Sequence, residues 1–125
     1  MTTCSCLLSA IGVNTRGELT IGVNTNVMGA RLYRDGVIHR LRDFAGGPSA
    51  YVRPINDGGE MVGEALDANG NDFGAVWMHW WSKPISLRPT SGCDGSYAQG
   101  VNDQGCVVGG SFSIGPNPTV QGSTP

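Results

Sequence analysis

Apolar and β-branched residues along this chain come in short alternating runs, each closed by glycine, asparagine, aspartate, serine or proline. Period-two alternation bounded by turn formers is the signature of short strands. Three stretches repeat one another: "VNTRGELTIG" at 13–22, "INDGGEMVGE" at 55–64 and "VNDQGCVVGG" at 101–110. Stacked, they align Asn14 with Asn56 and Asn102, and Gly17 with Gly59 and Gly105. A β-type residue precedes each asparagine (Val13, Ile55, Val101), and Ala10, Val52 and Ala98 stand four residues before it. Asparagine opens a tight turn by bonding its side chain to backbone two residues on, and glycine takes the positive φ that closes it.

Each motif is therefore expected to be a hairpin. It joins a strand A (about 7–13, 50–55, 96–101) to a strand B (about 18–23, 60–65, 106–112). A strand C with an aromatic near its end follows in "ARLYR" at 30–34 and "FGAVWM" at 73–78. A weaker strand D follows in "VIHRL" at 37–41 and "PISL" at 84–87. The asparagines lie 42 and 46 residues apart, a period that points to propeller blades or related arrays. The expected fold is all-β: repeated four-stranded antiparallel meanders, β-propeller-like. About two and a half repeats are present (about 7–49, 50–95 and 96–112), forming one domain over 1–112 before a polar tail at 113–125. A compact β-sandwich or barrel is the alternative. Even small propellers need about four blades, and a repeat needs neighbours to bury its faces. A homo-oligomer, or membership in a longer repeat array, is the expected consequence.

Spacing inside the units separates scaffold from decoration. Asn14 to Tyr33 is 19 residues and Asn56 to Trp77 is 21; Tyr33 to Leu41 is 8 and Trp77 to Leu87 is 10. From that leucine to the next asparagine the distance is 15 in both units. All length variation thus falls in the B–C and C–D connections, which lie at opposite ends of a meander and are where recognition surfaces are expected.

The unit seen at Ala98–Gly109, A-x-G-[IV]-N-D-x-G-x-V-V-G, is followed in the earlier copies by a small-aromatic strand, a leucine and a glycine-rich turn. Over residues 10–112 it resembles the HAF family of probable extracellular repeats. The His-Ala-Phe slots that name the family read Gly29-Ala30-Arg31 and Phe73-Gly74-Ala75 here, a degenerate signature. The resemblance implies propeller-like β repeats on secreted or surface proteins and supplies no catalytic residues. Extracellular or cell-surface location is the expectation that follows.

Composition adds limits. One hundred and twenty-five residues allow one modest domain, and 20 glycines with 7 prolines fit a turn-dense β-protein. A net charge of −2 argues against nucleic acid as a partner. No apolar run approaches the ~20 residues of a membrane-spanning helix. The start, "MTTCSCLLSAIG", lacks the basic region and long apolar core of a secretory leader. The chain is then expected to stay inside the cell, or to be a fragment or mature form whose leader is lost. Cys4, Cys6, Cys93 and Cys106 lack paired Cys-x-x-Cys knuckles, so a four-thiolate zinc site is disfavoured against disulfides or free thiols.

Candidate chemistry concentrates in "MHWWSKP" at 78–84. Trp77 has a repeat counterpart in Tyr33 and belongs to the core, whereas Trp80 and Trp81 have none. Exposed aromatic faces stack on sugar rings or anchor partners, so Trp80 and Trp81, with His79 beside them as a donor, are the expected ligand-binding residues. The competing expectation is that one of the two tryptophans caps the sheet edge. "DANGND" at 67–72 offers Asp67, Asn69, Asn71 and Asp72 as oxygen ligands, but Asp72 and Met78 stand where a calcium loop needs Gly and Glu. It reads better as a polar hairpin tip, and no metal or cofactor is expected. Arg31, Arg34, Arg40 and Arg42 gather around an Asp-Gly turn, where Arg31 should face Arg40 across the hairpin and either attract an acidic ligand or keep an edge soluble. No nucleophile elbow, metal-binding helix or phosphate loop occurs. The expected function is a non-enzymatic, extracellular or surface-associated binding scaffold with a glycan or protein ligand. A lectin-like carbohydrate-binding module is the alternative, and a glycoside-acting hydrolase using a carboxylate pair is less favoured.

Overall fold

In the computed structural model, residues 7–24, 29–47, 49–113 and 120–123 are described. They form eleven strands and no helix. The first unit is a meander of β1 (Leu7–Val13), β2 (Leu19–Asn24), β3 (Arg31–Arg34) and β4 (Val37–Arg40). The second repeats it as β5 (Ala50–Ile55), β6 (Met61–Leu66), β7 (Asp72–Trp77) and β8 (Ile85–Leu87). The third comprises β9 (Gly95–Val101), β10 (Val107–Phe112) and β11 (Val120–Ser123). All pairings are antiparallel between neighbours in sequence. The third unit therefore continues past strand B: Val120–Ser123, expected to be polar tail, pairs with Gly109–Phe112. Its Val-Gln-Gly-Ser sequence is polar, but pairing on an open sheet edge needs backbone groups rather than apolar side chains. Cys4 and Cys6 lie outside the described residues; Cys93 and Cys106 are free thiols.

The three sheets stack in chain order. β5 packs on β1 and β2, and β9 packs on β5, β6 and β7. Two apolar cores result. Ala30, Leu32 and Leu41 of the first unit meet Val52, Ile55, Met61, Ala75 and Trp77 of the second. Val62 and Val76, on the other side of the second sheet, meet Ala98 and Val107 of the third. Adjacent residues Met61 and Val62 thus enter different cores, which is what a strand buried on both sides requires. Backbones approach closely where side chains are smallest: a Cβ on Gly74 would lie 3.2 Å from the Tyr97 carbonyl carbon. Trp77 is fully buried, and its indole N–H donates to the Arg42 carbonyl at 2.8 Å, as a buried tryptophan requires.

The Asn-x-x-Gly motifs are the A–B turns, with Gly17, Gly59 and Gly105 at φ of 75°, 89° and 82°. Asn14 Oδ1 accepts the amides of Arg16 and Glu18 (3.1 and 3.0 Å), and Asn102 Oδ1 those of Gln104 and Cys106 (3.1 and 2.9 Å). The amide end of the same side chain does something the local motif does not show. Asn14 Nδ2 donates to the carbonyl of Asn56 at 3.1 Å, and Asn56 Nδ2 to that of Asn102 at 2.9 Å. Alongside, the Thr15 amide donates to Asp57 Oδ1 and the Asp57 amide to Asp103 Oδ1, both at 2.9 Å. The three turns form a hydrogen-bonded ladder that runs from unit to unit.

Rungs of this kind make the asparagines unequal. Asn56→Ala removes the bond to the Glu60 carboxylate, the bond from the Glu60 amide and the rung to the Asn102 carbonyl, and is expected to cost about 2–3 kcal/mol. Asn102→Ala, losing only bonds within its own turn, should cost about 1 kcal/mol. Gly105→Val forces a β-branched residue to positive φ, for about 1–3 kcal/mol. Urea unfolding of the three variants checks the order; equal midpoints for Asn56→Ala and Asn102→Ala would contradict the ladder.

Candidate functional site

The connection from β7 to β8 is longer than the β3–β4 connection of the first unit, and the Ser82 amide closes a turn on the His79 carbonyl at 3.1 Å. This turn presents His79, Trp80 and Trp81 together. Trp80 stacks on His39 of β4, ring centroids 3.9 Å apart, and packs against the first core. Trp81 meets Trp80 edge-on at 5.6 Å and lies parallel to His79 at 4.5 Å, while remaining 54% exposed. The two tryptophans are therefore not equivalent: Trp80 is partly a packing residue that joins the first and second units, and Trp81 is the exposed ring.

These rings form one wall of a cleft of about 270 Å³. Gly58 and Gly59 of the second A–B turn close it on one side, and Arg16, Glu18, Leu32 and Arg34 of the first unit on the other. The alternating strand directions of the meander put the A–B turn and the C–D loop at the same end, so the cleft follows from topology. Glu18 is buried at its base. Arg16 Nη2 and Arg34 Nε stand 3.0 and 3.4 Å from its carboxylate, and Asn14 Nδ2 donates to it at 2.7 Å. Burial pushes the Glu18 pKa up, but the Asn14 amide and the two guanidinium groups more than offset this and hold it below the ordinary value. One carboxylate thus anchors two arginines that line a cleft together with aromatic rings. Arg16, Glu18 and His39 were not singled out by sequence reasoning. The recurrence of Glu four residues after Asn14 and Asn56 was the available signal for Glu18. His39 carried none, because it reaches Trp80 from another sheet.

A second cavity, of about 410 Å³, lies along β5 and β6 with Tyr51, Arg53, Glu64, Leu66 and Asp72 in its lining. Arg53 Nη2 meets Glu64 Oε1 at 2.7 Å, and its guanidinium lies 5.2 Å from the Tyr51 ring centre. Burial, with the hydrogen bond and charge of Glu64, raises the Asp72 pKa to about 7; Arg53 opposes this. The positions of Arg53 and Glu64 are occupied by Ile11 and Gly22 in the first unit and by Gln99 and Gly110 in the third.

The remaining sequence candidates resolve simply. Asp67 opens an Asx turn, its carboxylate accepting the Asn69 and Asn71 amides (2.8 and 2.9 Å) and Asn71 Nδ2 (3.1 Å), with Gly70 at φ 81°. Its lone pairs are engaged by the turn. Among the described residues, no three His, Cys, Asp or Glu side chains group as a metal site would require. Arg31 faces Arg40 across the β3–β4 hairpin, closed by Asp35 and Gly36 at positive φ, and Arg40 is paired with Asp43 at 3.1 Å. Arg34 belongs to the cleft. Comparison with protein-family models, curated proteins and solved structures found no match to this chain.

Asp72 carries a pH signature. Between its ordinary value of 3.8 and about 7, the unfolded chain is ionised there while the folded chain keeps the proton. Its contribution to stability is therefore full below the lower value and is lost as pH rises through the upper one. Thermal melts from pH 4 to 8 should show the wild type losing Tm relative to Asp72→Asn as pH rises. Parallel profiles for the two proteins would contradict the protonated Asp72–Glu64 contact.

Proposed function

We propose that this chain is a non-enzymatic repeat scaffold, of the extracellular or surface-associated kind, whose second unit binds a ligand in the Trp81 cleft. The observation that carries this reading is the exposed Trp81 ring, held parallel to His79 in a cleft that is also lined by the arginines anchored on Glu18. A large aromatic kept in water at a concave site is a common feature of binding surfaces. The loop that presents it is an insertion on one unit of a repeated framework, which is how repeat proteins acquire specificity. Propeller-type blades of the HAF-like kind are the architecture this proposal assumes, in line with sheets that stack in chain order and are laced by one turn motif.

A carbohydrate is the ligand class that suits the cleft within this reading. A flat indole offers a stacking platform for a pyranose face, and the Arg16 and Arg34 guanidiniums offer donors to hydroxyl or carboxylate groups around its rim. Glycoside hydrolysis fits less well. The Glu64 and Asp72 carboxyls lie close enough for Glu64 to raise the Asp72 pKa, whereas the two carboxyls of such enzymes stand about 5–9.5 Å apart.

Trp81→Ala should abolish capture of the ligand on a glycan array, or in a pull-down if the ligand is a protein, while its melting temperature stays near that of the wild type. Trp80→Ala should lower the melting temperature clearly, because it removes packing on the first core and on His39. Binding retained by Trp81→Ala at wild-type strength would rule out the cleft as the site.

A further inference from the structure

The two outermost sheets each leave open the face that the middle sheet has covered. Counting from the asparagine, Val13 of the first unit corresponds to Ile55 of the second; Val13 is 65% exposed and Ile55 is 7%. Ile55 is buried because it enters the core shared with the preceding unit. On the opposite side, Val108 of the third unit corresponds to Val62 of the second, and they are 45% and 0% exposed. Val62 is covered because the following unit packs on it. Thr20, the first unit's counterpart, is covered too, and its hydroxyl donates to the Arg53 carbonyl of the second sheet at 2.7 Å.

The ladder ends in the same complementary way. Each internal step passes a side-chain amide proton from one Asn-x-x-Gly turn to the asparagine carbonyl of the next. Asn102 Nδ2 and the Asp103 amide stand at the last turn with no acceptor among the described residues. At the first turn, among the described residues, the Asn14 carbonyl accepts only the Gly17 amide, whereas those of Asn56 and Asn102 each accept a second bond from the preceding unit. One end offers donors and an exposed valine, and the other offers an acceptor and an exposed valine.

We propose that these are the two halves of a single head-to-tail interface, and that its occupant is a second copy of this chain. The β9–β11 sheet of one protomer would lie on the β1–β4 sheet of the next, repeating the contact between consecutive units inside the chain. Asn102 Nδ2 then donates to the partner's Asn14 carbonyl, and Val108 and the partner's Val13 enter a shared core. The contact is heterologous: the two surfaces are different patches of one molecule, so copies add in one direction. One rung is weaker than the internal ones, because Thr15 stands where Asp57 and Asp103 supply a carboxylate to the preceding turn. This proposal does not depend on the ligand of the Trp81 cleft.

Directionality gives a test that few other contacts would pass. Val13→Glu and Val108→Glu alter exposed positions, and each should melt like the wild type. In sedimentation velocity across the micromolar range, the wild type is expected to self-associate with rising concentration, and each variant alone to remain monomeric. An equimolar mixture of the two variants should form a one-to-one dimer, since Val13→Glu keeps the Val108 face and Val108→Glu keeps the Val13 face. Thr15→Asp restores the missing acceptor and should tighten self-association roughly tenfold, the equivalent of one good hydrogen bond, and Asn102→Ala should weaken it. A wild type that stays monomeric throughout overturns the proposal, leaving the end faces to other occupants, such as further repeat units of a longer polypeptide. Single variants that still associate, or a mixture that does not pair, overturn it equally.

Discussion

Two ends of one small side chain hold the three sheets in register. In each A–B turn the asparagine oxygen closes the hairpin, and in the first two the amide nitrogen reaches across to the next turn's backbone. Asparagine carries its acceptor and its donors on separate atoms of one short side chain, so it can close its own turn and bond the next turn at once. Aspartate opens an equivalent turn at Asp67, but it has no N–H to pass onward, and that turn accordingly joins only two strands of one sheet. The buried Asn14 and Asn56 are fully engaged, which is what makes a polar group tolerable between packed sheets.

With the turns fixed, packing follows. Each unit presents one apolar side to the unit before it and another to the unit after it, so the middle sheet is apolar on both sides of adjacent residues Met61 and Val62. Glycine and alanine at Gly74 and Ala98 allow the backbones to close in, and the Ser96 hydroxyl ties two sheets by accepting the Gly74 amide and donating to the Leu87 carbonyl. The same two-sidedness accounts for the solvent-exposed valines at either end: their second-unit counterparts, Ile55 and Val62, are buried between sheets.

The candidate cleft is a by-product of this arrangement. Stacking brings the first unit's Arg16, Glu18 and Arg34 beside the second unit's C–D loop. Glu18 does two jobs there, receiving the ladder asparagine and gathering the guanidiniums, so the candidate cleft and the scaffold share a residue. Trp80 links them on the other side by filling space between His39 and the first core, which leaves Trp81 as the ring that faces outward.

Strand positions, the three Asn-x-x-Gly turns, the core role of Trp77 and the grouping of Trp80, Trp81 and His79 at the turn end were all legible in the sequence. Each depends on local periodicity, on turn chemistry or on the reversal of direction along a meander. Tertiary structure decided the rest. Whether Trp80 or Trp81 faces solvent depends on His39, more than forty positions away. The pairing of Val120–Ser123 rests on backbone groups that composition does not reveal. The onward reach of the asparagine amides, the gathering of Arg16 and Arg34 on Glu18 and the raised pKa of Asp72 arise from distances between sheets. A pattern along one strand contains no information about those distances until the sheets are stacked.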